Sequence, residues 1–353
     1  MSLIKPSVSG LEAYAVAQDL DCVKLNQNES PDDLPPEVKQ AIFARLARIP
    51  WNRYPPQDAP ELRRRLSDLN GHPAEGILVG NASNELIQAI VSAVCAPGDF
   101  LVTVRPGFAV YKRVAAVLGI GVAEAPLRKD FAFDVDGIIA RARGAKLVIL
   151  ASPNNPTGTA LDIADVEKLA GALTGMVAID EAYFEFHGRT ARPLIERFEN
   201  LVVLRTFSKA MGLAGLRLGY LLGRPAVVRD LEKAKLPFSV GALQQAAALE
   251  MLDRPDLIER RVRTVIAERD RLVEELRLIP GVVPIPSRAN FVLFELTDQP
   301  ASEIHERLRG DGVLVRRLGG PELENKLRVT VGTAAENGAF LTCLRRACGE
   351  AAP

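Results

Sequence analysis

The strongest constraint on the fold is the regular alternation of short apolar runs with longer stretches of helical periodicity. Each apolar run suits a buried strand, and the helix-like stretch after it can return the chain to the same edge of a sheet. This alternation predicts an α/β fold with a mostly parallel central sheet covered by helices. The predicted strands are residues 77–79, 100–104, 147–151, 177–180, 201–205 and 218–222.

Helical periodicity between these runs predicts the covering helices, at residues 83–95, 108–118, 134–142 and 162–173. A further helical pattern follows Gly241, and a long charged stretch at about 256–278 is typical of an exposed connecting helix. Beyond Pro286 the pattern changes to a smaller α+β unit. Its strands are predicted at 291–296, 313–317 and 327–331, and its helices at 301–308 and 336–348.

These patterns divide the chain into three parts. We expect an N-terminal segment that covers the site (residues 1–30), a large domain (31–245) and a small C-terminal domain (246–353). The length supports two domains, because a single hydrophobic core rarely grows to this size.

Composition and charge exclude several classes of function. Lys plus Arg and Asp plus Glu each number 44, so no global field would hold nucleic acid or an anionic membrane. The three histidines are scattered and no two cysteines are spaced as Cys-x-x-Cys, so we predict no metal site. The sequence has no apolar run of membrane-spanning length and no apolar core of a signal peptide, so a cytoplasmic protein is expected.

Four polar clusters directly follow predicted strands. Because the carboxyl ends of parallel strands meet at one edge of a sheet, we expect the four clusters to lie close together. The first cluster opens a helix, where backbone N–H groups make an anion site; a helix cap by Ser83 or Asn84 is the simpler alternative. The clusters are residues 80–85, 152–158, 180–183 and 205–209.

Asp180 and Lys209 are the two candidates for acid–base chemistry. Asp180 follows an apolar run directly, where it could cap a helix or bind a metal. Lys209 precedes small and apolar residues, so it is either a solvated surface lysine or an amine whose pKa is lowered by desolvation. The chain lacks the P-loop motif and the three-glycine dinucleotide motif, which argues against a nicotinamide dehydrogenase.

Five stretches in this order and spacing resemble the class I and II aminotransferases, which are fold-type I enzymes dependent on pyridoxal 5'-phosphate. The resemblance covers nearly the whole chain and is greatest to the histidinol-phosphate branch of that family. It implies that pyridoxal 5'-phosphate is the cofactor. The stretches are residues 25–31, 53–55, 152–158, 180–186 and 205–219.

The resemblance also implies roles for individual residues in binding the cofactor. Lys209 would carry the cofactor covalently and move the substrate proton, and Asp180 would pair with the protonated ring nitrogen. Asn155 and Tyr183 would bind the ring oxygen, and Phe108 would stack on the ring, where the family usually has tyrosine. The phosphate would be bound by Ser208, Arg217, the backbone at Ser83 and Asn84, and Tyr54 of a neighbouring subunit.

The same resemblance implies the substrates and the assembly. Arg328 would bind the anionic group of the substrate, with Arg316 or Arg317 beside it and Tyr14 and Asn155 as further contacts. Because Tyr54 would reach across to a second copy, a homodimer is expected. The implied reaction transfers the amino group of histidinol phosphate to 2-oxoglutarate, in histidine biosynthesis. The alternatives are an aromatic or broad-specificity aminotransferase, a lyase that decarboxylates threonine phosphate, and a non-catalytic cofactor-binding module.

Overall fold

The computed structural model describes residues 3–13 and 21–349 of the chain. Short 3-10 turns lie at Ala74–Gly76, Arg192–Glu196, Ala214–Leu216 and Pro321–Leu323. The strands are β1 (Val23–Lys24), β2 (Ile77–Gly80), β3 (Phe100–Arg105), β4 (Gly121–Pro126), β5 (Leu147–Ala151), β6 (Met176–Asp180), β7 (Leu201–Thr206), β8 (Gly219–Leu222), β9 (Val282–Pro284), β10 (Phe291–Leu296), β11 (Val313–Leu314), β12 (Arg316–Arg317) and β13 (Lys326–Thr330). The helices are α1 (Pro6–Ser9), α2 (Pro36–Leu46), α3 (Pro60–Asn70), α4 (Ala82–Val94), α5 (Ala109–Leu118), α6 (Val135–Arg141), α7 (Ile163–Ala172), α8 (Phe184–His187), α9 (Pro225–Glu232), α10 (Ala242–Leu252), α11 (Pro255–Arg277), α12 (Ala301–Gly310) and α13 (Ala334–Cys348).

A seven-stranded sheet in the order β2-β8-β7-β6-β5-β3-β4 forms the centre of the larger body. Its strands are parallel except β8, which is antiparallel to both neighbours. All six strands predicted from the apolar runs lie in this sheet, which confirms the α/β fold. Because β8 runs in reverse, its first residue, Gly219, lies at the same edge as the last residues of β2 and β7.

Alternate residues of the sheet pack into separate apolar clusters on its two faces. On β7, for example, Val203 belongs to the cluster under α2 and α7, whereas Leu204 belongs to the cluster under α4 and α5. Strands buried on both faces read as unbroken apolar runs, which explains why they were predicted from sequence. The edge strand β4 was missed because most of its residues are partly or fully exposed.

A second, antiparallel sheet in the order β12-β13-β10-β9 packs against α11, α12 and α13. Phe291, Phe294 and Phe340 are fully buried in its core. The predicted strand 313–317 is divided: Val313 and Leu314 pair with β1 in parallel, and the next strand pairs with β13. Strand β1 therefore joins the N-terminal segment to the C-terminal part of the chain, while the two boundaries between the three predicted parts stay predictions.

Two expectations about helices were wrong. Helix α11 is not simply exposed, because Val265, Leu272 and Leu276 form a buried face along it. The many charged residues between them made the whole helix look exposed in the sequence. Five helices were missed, namely α1, α2, α3, α8 and α9, and all of these except α8 have proline in the first turn. Proline is favourable at that position, but in the sequence it reads as a loop signal. Among the described residues, no helix is both long enough and apolar enough to cross a membrane.

Candidate active site

Asp180 is the last residue of β6, and its carboxylate is buried at the edge where the polar clusters meet, with 3% of the residue exposed. The hydroxyl of Tyr111 donates a hydrogen bond to Asp180 Oδ2 at 2.8 Å, and the N–H of Ala182 donates to Oδ1 at 3.1 Å. Burial raises the pKa of Asp180 to about 6, although both hydrogen bonds favour the ionised form. The site thus holds a carboxylate that a nearby cation would stabilise.

Lys209 follows β7, and its amine contacts the backbone of the N-terminal segment. Its Nζ donates to the backbone carbonyls of Gln27 at 3.1 Å and Asn28 at 2.8 Å. Burial, followed by the positive charges of Arg328 and Arg217, lowers the pKa of this amine to about 7. A large fraction of the amine is therefore neutral near neutral pH, which is the form that acts as a nucleophile or base.

Asn28 connects the N-terminal segment to the site, a role that the sequence did not indicate. Its backbone is left-handed, with φ of 54°, and its side chain donates to the Tyr183 hydroxyl at 3.0 Å. Its N–H donates to Thr330 Oγ1 at 2.8 Å, and Asn290 donates to its carbonyl oxygen at 3.1 Å. The motif at 25–31 was visible in the sequence, but this function depends on contacts with β13 and the second sheet.

Tyr183, Asn155 and Arg328 form one connected group. The Asn155 amide donates to the Tyr183 hydroxyl at 3.4 Å, and Arg328 Nη1 donates to Asn155 Oδ1 at 2.5 Å. Arg328 Nη2 also donates to the carbonyl of Asn26 at 2.9 Å. Burial raises the pKa of Tyr183, so its hydroxyl stays protonated and available as a donor. The structure therefore brings together three residues that the sequence placed at one site.

The start of α4 forms a cradle of backbone N–H groups. The helix begins at Ala82 after Asn81, which makes no side-chain cap, so the alternative of a helix cap by Ser83 or Asn84 is wrong. Both residues instead lie in the first turn, where uncapped N–H groups favour an anion. Ser83 is buried and Asn84 is exposed.

Two residues with a left-handed backbone conformation and one glycine allow this cradle to pack closely against β8. Ala82 and Arg217 have φ of 61° and 54°, and the Ala82 N–H donates to the Arg217 carbonyl at 3.1 Å. A Cβ on Gly219 would lie 2.6 Å from the N atom of Ser83, so only glycine allows this approach. Arg217 Nη1 donates to Ser208 Oγ at 3.3 Å, which places both predicted phosphate ligands together.

Phe108 precedes α5 and makes an edge contact with Tyr111, with ring centroids 5.4 Å apart. It is partly exposed, so its ring face remains available for stacking.

On the opposite face of the sheet, Glu181 forms a buried ion pair with Arg205 at 3.0 Å. Glu181 therefore points away from Asp180, as strand alternation predicts.

The register of β12 against β13 resolves which arginine accompanies Arg328. Arg316 lies directly opposite Arg328, whereas Arg317 lies opposite Leu327. Directly opposite residues share a face of a sheet, so Arg316 is on the Arg328 side and the exposed Arg317 is not. The side chain of Arg316 makes no hydrogen bond or ion pair within the described part of the chain.

Two predicted residues are not assembled with the others. Tyr54 is 80% exposed, and its ring contact among the described residues is a stack on Phe238 at 4.5 Å. Tyr14 lies outside the described residues. Within the described residues no group of acidic residues, histidines and cysteines could hold a metal ion.

These residues fit the two ends of pyridoxal 5'-phosphate. The buried Asp180 suits a protonated ring nitrogen, and the uncapped helix start with Ser208 and Arg217 suits a phosphate. Lys209 Nζ lies 5.8 Å from the centroid of the Tyr183 ring, so the amine and this tyrosine belong to the same site. The amine, the acid and the anion cradle are thus all built by residues at one edge of the sheet.

Comparisons with known proteins identify the family of the chain. A family model described as Aminotransferase class I and II matches residues 20–344. Histidinol-phosphate aminotransferase of Chlorobium phaeovibrioides is 39% identical over 349 residues, which cover 98% of this chain and 96% of the relative. The enzyme of the same name from Thermococcus kodakarensis is 39% identical over 343 residues, 97% of each chain.

The fold comparison gives the same result. The crystal structure of histidinol-phosphate aminotransferase from Sinorhizobium meliloti in complex with pyridoxal 5'-phosphate has a TM-score of 0.89 and 28% identity. The match covers 99% of this chain and 98% of that one. The resemblance stated from the sequence motifs is therefore confirmed: the chain belongs to the class I and II aminotransferase family.

Proposed function

We propose that this chain is a pyridoxal 5'-phosphate-dependent aminotransferase that converts histidinol phosphate and 2-oxoglutarate to imidazole-acetol phosphate and glutamate. The observation that carries the reaction class is the Lys209 amine, made partly neutral by burial and placed at the same sheet edge as Asp180. The observation that supports the substrate is the similarity to relatives of that name over 97–98% of the chain.

When bound, pyridoxal 5'-phosphate supplies an electron sink for the carbon that loses its proton. Asp180 would hold the proton on the ring nitrogen. A carboxylate at ~3 Å in an effective dielectric of ~20 supplies about 5 kcal/mol, more than the roughly 3 kcal/mol needed to raise the nitrogen pKa by about two units. Asn155 and Tyr183 would bind the ring oxygen, and Phe108 would cover the ring.

Lys209 would carry the cofactor and then act as the proton carrier. The Lys209 Nζ is held by the carbonyls of Gln27 and Asn28, and burial makes it partly neutral. When not bonded to the cofactor, this amine would be able to take a proton from the substrate and give it back. Ser208, Arg217, Ser83 and the backbone at Asn84 would hold the phosphate and so fix the geometry.

Arg328 and Arg316 would bind the anionic end of either substrate. Histidinol phosphate has no carboxylate, so its phosphate must occupy the site that receives the distal carboxylate of glutamate. Two arginines directly opposite each other repel, and an anion between them offsets that cost. Tyr14 remains a predicted further contact.

We also propose a two-fold homodimer in which Tyr54 contributes to the phosphate site of the partner. The support is the exposure of Tyr54 together with that of Trp51 at 77% and Leu236 at 73%, large apolar side chains that a partner would cover. Light scattering of the purified protein tests this, and an active monomer would contradict it. A cytoplasmic location, expected from the sequence, is testable by cell fractionation.

The substrate is tested by mixing the cofactor-loaded enzyme with one amino donor at a time, without an acceptor. We expect histidinol phosphate and glutamate to bleach the visible band, with histidinol phosphate effective at far lower concentration than phenylalanine. Preference for phenylalanine would favour an aromatic aminotransferase. Carbon dioxide released from O-phosphothreonine, with no oxo acid present, would favour the lyase.

A further inference from the structure

Tyr111 makes a contact that neither the sequence pattern nor the proposed roles account for. It lies on α5 with 1% of the residue exposed, and its hydroxyl is 2.8 Å from Asp180 Oδ2. It is the one side chain in the described structure that donates a hydrogen bond to this carboxylate, because the other donor is the backbone N–H of Ala182.

In this contact the Tyr111 hydroxyl is the donor and the Asp180 carboxylate is the acceptor. Burial, and then the negative charge of Asp180, raises the pKa of Tyr111 well above its ordinary value, so the hydroxyl keeps its single proton. A hydroxyl that only donates favours the ionised form of Asp180, because a hydrogen bond to a charged carboxylate is stronger than one to a neutral carboxyl group. With Ala182 bonded to Oδ1, the two contacts also fix the rotation of the carboxylate.

The other groups that face Asp180 do not supply this effect. Burial and the charge of Glu181 on the neighbouring position favour the protonated form. Lys209 after β7 favours the ionised form, but its amine is partly neutral, and Tyr183 is a neutral phenol whose hydroxyl contacts Asn28 and Asn155. Tyr111 on α5 is therefore the side chain best placed to keep Asp180 ionised.

We propose that Tyr111 is a positioning residue that keeps Asp180 ionised and oriented, so that the proton shared with the cofactor resides on the ring nitrogen and not on the carboxylate. This inference rests on the proposed function, because it concerns the acid that would pair with pyridoxal 5'-phosphate. Without the hydroxyl, the shared proton moves toward Asp180 and the ring becomes a weaker electron sink.

The test compares the full-length wild-type chain with Tyr111→Phe and a matched control, Tyr220→Phe. Tyr220 is equally buried but lies on the other face of the sheet, where its hydroxyl interacts with Arg205. In each protein without cofactor, the pKa of Asp180 is measured from the 13C signal of labelled aspartate, assigned with Asp180→Asn. With 15N-labelled cofactor, the ring-nitrogen signal reports where the proton resides.

We expect Tyr111→Phe to raise the pKa of Asp180 by roughly one unit or more, the loss of one hydrogen bond to a charged group. The 15N signal should move toward that of an unprotonated ring, and kcat should fall with little change in KM. Tyr220→Phe should leave the Asp180 pKa and the 15N signal at their wild-type values. If Tyr111→Phe does not fold, 3-fluorotyrosine at position 111 replaces it, and this stronger donor should lower the Asp180 pKa.

An Asp180 pKa and a 15N signal equal to those of Tyr220→Phe would overturn the inference and leave Tyr111 a packing residue only. An unchanged Asp180 pKa with 3-fluorotyrosine would overturn it as well. Wild-type protein that fails to retain pyridoxal 5'-phosphate would defeat the proposed function together with this inference. Retention of the cofactor with an unchanged Asp180 pKa defeats this inference alone.

Discussion

Replacing Asp180 with asparagine should stabilise the chain without cofactor, and the gain should grow with pH. The carboxylate is buried before a ring nitrogen is present to pair with it, so burial raises its pKa from 3.8 to about 6. A folded-state pKa above the unfolded one means that stability is fully present below about pH 4 and is lost as pH rises through about 6. Asp180→Asn keeps the shape but carries no charge to desolvate.

The magnitude follows from the size of the shift. A difference of about two units amounts to about 3 kcal/mol over the whole titration. Of this, about 1 kcal/mol falls between about pH 5 and about pH 8, a range in which unfolding is measured conveniently. Glu181, Glu185 and Lys209 also titrate with shifted pKa values, but they are present in both proteins and largely cancel in the difference.

The assay is urea unfolding of both proteins, freed of cofactor, across this pH range. The free energy of unfolding of Asp180→Asn minus that of wild type should increase by about 1 kcal/mol from about pH 5 to about pH 8. With cofactor bound the order should reverse, because the asparagine no longer pairs with the ring nitrogen. A difference that stays constant with pH would refute the assigned burial of this charge.

Three further predictions concern other parts of the site. Without cofactor, Lys209→Met should be more stable than wild type by an amount that grows as pH falls from about 10 to about 7, because burial depresses the amine pKa to about 7; calorimetry that finds no pH trend would contradict this. Gly219→Ala should weaken cofactor binding at least roughly tenfold, since its Cβ would lie 2.6 Å from Ser83 N, and an unchanged dissociation constant would show that the cradle does not bind the phosphate. Arg328→Lys should raise KM for histidinol phosphate and for glutamate together, roughly tenfold or more, because one arginine binds both anions; an effect on one donor alone would refute the shared site.

The sequence was most informative where local pattern and tertiary structure coincide. Buried parallel strands are apolar on both faces, so β5, β6 and β7 were located within one residue at each end. The polar residues that end those strands were correctly expected at one edge, because strand direction alone brings them there. Motif resemblance then assigned roles to Asp180 and Lys209.

The features that were missed depend on contacts distant in sequence. Tyr111 looks like a core residue of an amphipathic helix until β6 places Asp180 beside its hydroxyl. Asn28 gains its role from a left-handed backbone and a bond to Thr330, 302 residues away. Arg316 and Arg317 could not be distinguished, because a one-residue change of register exchanges the faces of a strand.

The central claim is that one amine, Lys209, carries the cofactor at the site that contains Asp180. Borohydride reduction of the cofactor-loaded enzyme, followed by proteolysis and mass spectrometry, tests it directly, with Lys209→Ala as the control. We expect the reduced cofactor on the peptide containing Lys209 and on no other, and no labelled peptide from the control. Label on a different lysine, or equal labelling of the control, would contradict the assignment.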